Sequence, residues 1–234
     1  MKKIAIIQSN YIPWKGYFDI INYVDTFVLY DDAQYTKRDW RNRNKIKVPD
    51  GTLWLTIPIE VKGKYYQKIK EAKIADKDWN KKHWKTITFF YAKAPYFNEY
   101  REIFEQLYLD KMPEYLSLIN YKFITAINKI LGITTPIRWS WEFEIKGNKS
   151  EKLLNICKQL NAQVYVSGPS AKNYLDINLF KQENISIEWF DYQNYTEYKQ
   201  LFSPPFIHNV SIIDLIFNTG KNAPKYMKTF SQKD

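Results

Sequence analysis

At 234 residues, with 45% hydrophobic and 26% charged side chains, the chain has the size and balance of one folded α/β domain with a substantial core. Lysine and arginine outnumber aspartate and glutamate by 35 to 25, a net charge of +10 that favours anionic partners such as nucleotides, sugar phosphates, nucleic acid or acidic lipid. The single cysteine, Cys157, excludes an internal disulfide and a cysteine zinc cage, and no apolar run approaches the ~20 residues of a membrane span.

Met1-Lys2-Lys3 and the short apolar run after it are too brief for a signal peptide, so a cytoplasmic protein is expected. That run, residues 4–7, predicts a buried strand. After Pro13, the residues Trp14, Tyr17, Phe18, Ile21 and Val24 recur at helical spacing. Residues 26–30 predict a second strand ending at Asp31-Asp32, which makes a βαβ unit. Residues 33–44 form a polar loop, and Pro49-Asp50-Gly51 signals a hairpin turn between residues 45–48 and 53–59. Residues 68–74 read as one more strand. Three helices follow at 78–93, 96–109 and 113–131, with Pro113 in a first helical turn and Gly132 at a helix end.

An α/β rhythm then returns. Residues 137–141, 164–167 and 185–190 read as strands. Residues 149–160 read as a helix capped by Asn148 and Glu151, and 211–218 as a short helix closed by Gly220. The expected fold is α/β: a mostly parallel, Rossmann-like sheet with helices on both faces and a helical middle segment. Residues 1–220 are expected to form one α/β domain, with a basic loop and hairpin at 33–75 and the helical segment at 77–131. Residues 221–234 are expected to be a flexible polar tail. Ligands of such sheets bind at the carboxyl ends of strands, here from Gln8, Asp31-Asp32, Ser140 and Gly168 onward.

Neither a dinucleotide fingerprint nor a P-loop is present. The first loop still offers backbone N–H groups at a helix start, which can hold an anion, and Gln8 and Asn10 add amides. The plainer alternative is an ordinary βα turn with Trp14 and Tyr17 in the core. From Asp31 to Lys45 the chain interleaves bases, aromatics and amides: Gln34, Tyr35, Arg38, Trp40, Arg41, Asn42 and Arg43. Arginine grips phosphate or carboxylate with a planar fork, and Tyr35 and Trp40 offer faces for a ring. Asp31-Asp32 at a strand end suits Mg²⁺ or sugar hydroxyls. A solvated charged loop is the bland alternative.

The two histidines, His83 and His208, stand far apart in sequence, so no histidine metal site is expected. Ser167-Gly168-Pro169-Ser170-Ala171 closes a strand, where Gly168 permits close backbone approach and Ser170 supplies a hydroxyl. Cys157 falls at helical core spacing.

These segments resemble the WbqC-like protein family. Gln8-Ser9-Asn10-Tyr11-Ile12-Pro13-Trp14-Lys15-Gly16-Tyr17-Phe18 is similar to its opening signature, and Asp31-Asp32-Ala33-Gln34-Tyr35 with Asn42-Arg43-Asn44 to its second. Further blocks are His83-Trp84-Lys85, Ala94-Pro95-Tyr96-Phe97, Ser167-Gly168-Pro169-Ser170 and Ser211-Ile212-Ile213-Asp214. Members often begin with His-Gln-Pro, where this chain has Ile7-Gln8-Ser9, which removes a first-loop histidine as a proton shuttle. The layout is also similar, more remotely, to pantothenate synthetase and related nucleotidyl-transfer folds. That likeness gives Lys149-Ser150 a part in binding ATP, although the His-x-Gly-His signature of that group is absent.

The resemblance implies a sugar-modifying transferase of bacterial surface polysaccharide (O-antigen, lipopolysaccharide) biosynthesis. The expected reaction is acyl or aminoacyl transfer to a nucleotide-linked amino sugar, with ATP, acyl-CoA or an aminoacyl donor as co-substrate. Asp32 and His83 are the expected bases. Arg38, Arg41 and Arg43 are expected at the anion, Tyr11, Tyr35 and Trp40 at the ring, and Gln8, Asn10 or the 168–170 backbone at an oxyanion. Two alternatives stand beside this: a non-catalytic nucleotide-sugar or glycan-binding protein, and an RNA (tRNA)-binding protein.

Overall fold

The computed structural model describes residues 1–230. Strand β1 (Lys3–Ile7) leads through helix α1 (Lys15–Tyr23) to β2 (Thr26–Leu29), which pairs parallel to β1 with Ile4 opposite Thr26. An antiparallel hairpin of β3 (Arg43–Val48) and β4 (Gly51–Thr56) follows, turning at Pro49-Asp50. Helices α2 (Trp79–Tyr91), α3 (Phe97–Leu109) and α4 (Leu116–Leu131) form the middle segment, and Gly132 ends α4 in the left-handed region at φ 73°. Strand β5 (Ile137–Trp139), helix α5 (Lys149–Gln159), strand β6 (Val164–Ser167), helix α6 (Ile177–Gln182), strand β7 (Ser186–Trp189) and helix α7 (Ile212–Thr219) complete the elements.

The sheet runs β5-β2-β1-β6-β7, with every pairing parallel. This is the expected α/β, Rossmann-like arrangement. Alternation along the strands divides the side chains between two cores. Ala5, Phe27, Leu29 and Val166 point into the larger, which α1, α7 and the middle helices fill. Ile4, Ile6, Val28 and Tyr165 point into the smaller, closed by Leu153, Leu154 and Cys157 of α5 and Phe180 of α6. Cys157 is therefore a core residue, and burial pushes its thiol pKa up. Among the described residues no helix is long and apolar enough to cross a membrane.

Three local expectations change. Residues 68–74 are not a strand but a 3₁₀ turn at Ile69–Glu71 flanked by isolated bridges, because their main chain bonds to Ala33, Asp31 and Glu114 rather than to one neighbour. Pro113 lies outside α4, since the Ile74–Glu114 and Leu116–Ala72 bonds hold that stretch extended until Leu116. The tail is not loose at residues 221–230. A 3₁₀ segment covers Gly220–Tyr226, Met227 and Thr229 are buried, and the buried Asp19 carboxylate accepts from the N–H groups of Lys228 and Thr229 and from the Thr229 hydroxyl. The rest of that expected tail, residues 231–234, lies outside the described residues.

Candidate functional site at the carboxyl edge of the sheet

From β1 the chain builds the sheet outward through β2 to β5, then crosses back to add β6 on the other side of β1. The order thus reverses between β1 and β6, which is where ligands of open α/β sheets bind. A cleft of about 460 Å³ opens there, a volume suited to a nucleotide-sized ligand. Gln8 lines it from the end of β1, Asp32 and Gln34 from the end of β2, and Lys149 and Lys152 from the first turn of α5. Tyr30, Tyr165 and Tyr174 supply its aromatic walls.

Asp32 is the acidic group among these lining residues. It receives Lys70 Nζ at 2.7 Å, Ser140 Oγ at 2.9 Å and Lys68 Nζ at 3.1 Å. Burial raises its pKa, but the bonds from Lys70, Ser140 and Lys68 outweigh burial and hold the carboxyl below the usual carboxylate range. Asp32 is thus a negative charge held between two ammonium groups.

Its neighbour Asp31 turns the other way. Wholly buried, it accepts from the Ser9 N–H at 2.8 Å and the Ser9 hydroxyl at 2.7 Å, which ties the end of β1 to the end of β2. Asn120 of α4 donates to Ser9 Oγ and to the Arg41 carbonyl, both at 2.9 Å. Burial raises the Asp31 pKa, against the Ser9 bonds and the field of Arg41. The two aspartates therefore do not present a shared pair of carboxylates to a cation. Among the described residues no three His, Cys, Asp or Glu side chains converge as a metal site.

The basic loop separates into different roles. Arg41 is half-buried, donates to Asn10 Oδ1, and its charge opposes the burial-raised pKa of Tyr174 on the cleft wall. Arg43 instead lies over Trp54, 4.0 Å from the ring centroid, and Arg38 is exposed with a left-handed backbone at φ 57°. Trp40 also packs on Trp54, with centroids 5.2 Å apart. Asn42 is buried and donates to the Ile57 carbonyl at 2.8 Å. Tyr35 is buried too, so neither Asn42 nor Tyr35 offers a face to a ligand.

His83 is not at the cleft. Only 7% exposed, it puts Nε2 3.2 Å from the Thr56 carbonyl and Nδ1 2.9 Å from the Tyr11 hydroxyl. A carbonyl only accepts, so Nε2 carries the proton and Nδ1 accepts from Tyr11. Burial lowers the His83 pKa to about 4. Tyr11, fully buried, bonds Tyr108 at 2.7 Å and meets Trp79 and Phe123 edge-on. The histidine base and the Tyr11 ring face expected from sequence are here an internal polar cluster between the first loop and helices α2 to α4.

Ser150 is also structural: its hydroxyl accepts from Asp176 N–H at 3.0 Å, while Asn148 caps α5 through the N–H groups of Ser150 and Glu151. Gly168 packs beside Tyr192 and Ser170 is exposed, away from the cleft walls. Asn10, Trp14 and Trp40 line a second, smaller cavity on the other side of the first loop. Ser140 stands at one of the strand ends where a ligand was expected, whereas Lys68, Lys70, Lys152 and Tyr174 were not among the expected site residues. Only Lys152 carried a local signal, one helical turn from Lys149 on α5.

The fold defines an α/β protein with a cleft at the switch point of a parallel sheet. The chain belongs to the WbqC-like protein family, whose model matches residues 8–226. It is 49% identical over 228 residues to uncharacterized protein Rv1507c of Mycobacterium tuberculosis, covering 97% of this chain and 98% of that one. No solved structure matches it significantly.

Proposed function

We propose that the protein is a transferase of surface polysaccharide biosynthesis that acylates or aminoacylates a nucleotide-linked amino sugar held in the switch-point cleft. The observation that carries this reading is the cleft's own chemistry: two lysines, one ionised aspartate, two amides and three tyrosines at the carboxyl edge of β1, β2 and β6. Lys149 and Lys152 suit the phosphates of such a ligand, and the start of α5 adds its positive end. Tyr30 and Tyr174 suit the base or sugar ring, and Gln8, Gln34 and Asp32 suit its hydroxyls.

In the transfer step the sugar amine attacks the activated carbonyl, the C–N bond forms, and the leaving group departs with the electron pair of the cleaved acyl bond. Asp32 is a weak base, so it takes the amine proton only after C–N bonding has made that nitrogen acidic. Lys68 and Lys70, 3.1 and 2.7 Å from Asp32, are near enough to stabilise the developing oxyanion. An acyl-CoA, an ATP-derived acyl adenylate or an aminoacyl donor meets the carbonyl requirement.

The test is mass spectrometry of reactions of the purified protein with nucleotide-linked amino sugars and each donor class. A mass increase equal to the acyl or aminoacyl group, lost in Asp32→Asn, supports the transferase. Binding of nucleotide-sugars without product from any donor replaces it with a non-catalytic binding role. Binding only to tRNA, with affinity falling steeply as salt rises, replaces it with RNA recognition.

A further inference from the structure

The smaller cavity, about 240 Å³, lies between the first loop, the basic loop and the segment before α7. Its lining is Asn10, Pro13, Trp14, Trp40, Asn44 and Asn209, with no charged side chain among them, in a protein of net charge +10. Phosphate or carboxylate finds no ammonium or guanidinium in this lining. Two indoles, a proline ring and amides are instead the groups that meet the C–H face and the hydroxyls of a neutral sugar. The volume falls below the ~300–1,000 Å³ of pockets for drug-sized ligands, which limits the occupant to about one ring.

This cavity is built by fixed main chain rather than by loose side chains. Tyr11 N–H donates to the Trp40 carbonyl at 3.1 Å, Ile212 N–H to the Pro13 carbonyl at 2.9 Å, and Ser211 N–H to the Lys45 carbonyl at 2.8 Å. These bonds join all three walls. Asn44 Nδ2 binds the Ile12 carbonyl at 2.8 Å and the Tyr11 carbonyl at 3.2 Å. Ile12, a buried β-branched residue, is held at φ 37°, a left-handed conformation that such a side chain rarely adopts. Strain of this kind persists where the surroundings over-determine the backbone, and it clusters at ligand sites. The Trp14 indole is set by Tyr192 and Tyr195, each 5.5 Å away, and by Gly16, whose missing Cβ would lie 2.4 Å from the ring. Within this frame Asn209 and Trp40 stay exposed. Asn10 is held on this wall by Arg41, whose guanidinium donates to its side-chain oxygen.

We infer that this cavity is a second, neutral-carbohydrate site that takes a single uncharged sugar ring, separate from the anionic ligand of the cleft. The experiment is saturation-transfer NMR and tryptophan fluorescence of the full chain with the methyl glycosides of glucose, galactose, rhamnose and N-acetylglucosamine. At least one is expected to bind saturably. Trp40→Ala and Asn209→Ala, at exposed positions that do not hold the fold, should each weaken it at least tenfold. Gly16→Ala should do the same by displacing Trp14. The double variant Lys149→Ala/Lys152→Ala should bind the glycoside as the wild type does. Failure of every glycoside to bind overturns the inference, as does undiminished binding in Trp40→Ala and Asn209→Ala, or loss only in the lysine double variant. UDP titrated in parallel reads the cleft alone, so failure of that reading is distinguishable from failure here.

Discussion

Lys70 Nζ sits 2.7 Å from Asp32 Oδ1, and this pair joins the end of β2 to the 3₁₀ turn at Ile69–Glu71. It explains why Asp32 stays ionised although partly buried. The Asp32 pKa is depressed in the fold, so its stabilising contribution is present above the unfolded value of ~3.9 and is lost as pH falls through the folded value. Lys70→Ala removes the largest of the depressing contacts. The Asp32 carboxyl should then titrate at higher pH in carbon-detected NMR, and the acid-side loss of stability should be smaller and complete at higher pH. An unchanged titration would show that Lys68 and Ser140 suffice.

His83 gives a prediction of opposite origin. Its folded pKa, about 4, lies below the ordinary value of 6.5, so between those two values the unfolded chain binds more protons than the folded one. Stability should therefore fall as pH drops from 6.5 toward 4. His83→Gln should flatten that part of a urea-midpoint against pH curve. It should leave any pH dependence of transfer near neutrality intact, because His83 does not reach the cleft. A transfer rate that loses its neutral-pH limb in His83→Gln would restore the histidine as a base.

The C-terminal clasp rests on Asp19, whose buried carboxylate accepts from Lys228 N–H at 3.0 Å, Thr229 N–H at 3.0 Å and Thr229 Oγ1 at 2.8 Å. Hydrogen bonds to a charged group contribute ~1.5–3 kcal/mol each, with strong non-additivity. Asp19→Ala should cost about 3 kcal/mol in chemical denaturation, and it should raise hydrogen exchange at Lys228 and Thr229. Unchanged exchange at those two amides would contradict the clasp.

Asn44 spans the first loop from β3, donating to the Tyr11 and Ile12 carbonyls and accepting from Lys45 N–H at 2.8 Å. Removing it leaves buried carbonyls without a donor, at about 1–3 kcal/mol. Asn44→Ala should lower the melting temperature and broaden the Trp14 and Trp40 indole resonances together. A stable protein with sharp, unmoved indole signals would show that Ile12 keeps its conformation unaided.

Much of the scaffold was legible because its signals are local. Strand β1, the α1 stripe, the Asn148 cap of α5 and Gly132 after α4 each state their structure within a few residues. The site was legible at the strand ends, at Gln8, Asp32, Gln34 and Ser140, and at Lys149 where α5 begins. Lys70, Ser140 and Tyr174 meet there from segments far apart in sequence, brought together by the parallel order. Polar aromatic residues misled in the other direction. Tyr11, Tyr35 and His83 looked like ligand contacts, yet Tyr11 and His83 satisfy each other inside the core. Arg43 suggested an anion site, but its guanidinium covers Trp54.

The proposed function requires the switch-point cleft to bind a nucleotide-linked sugar through Lys149 and Lys152. Calorimetric titration of a panel of UDP-, GDP-, dTDP- and CMP-linked sugars tests it most directly, on wild type, Lys149→Ala/Lys152→Ala and Arg43→Ala. Saturable binding of at least one is expected, weakened tenfold or more by the double substitution and unaltered by Arg43→Ala. Equal binding by the double variant and the wild type, or no binding by any nucleotide-sugar, would contradict it.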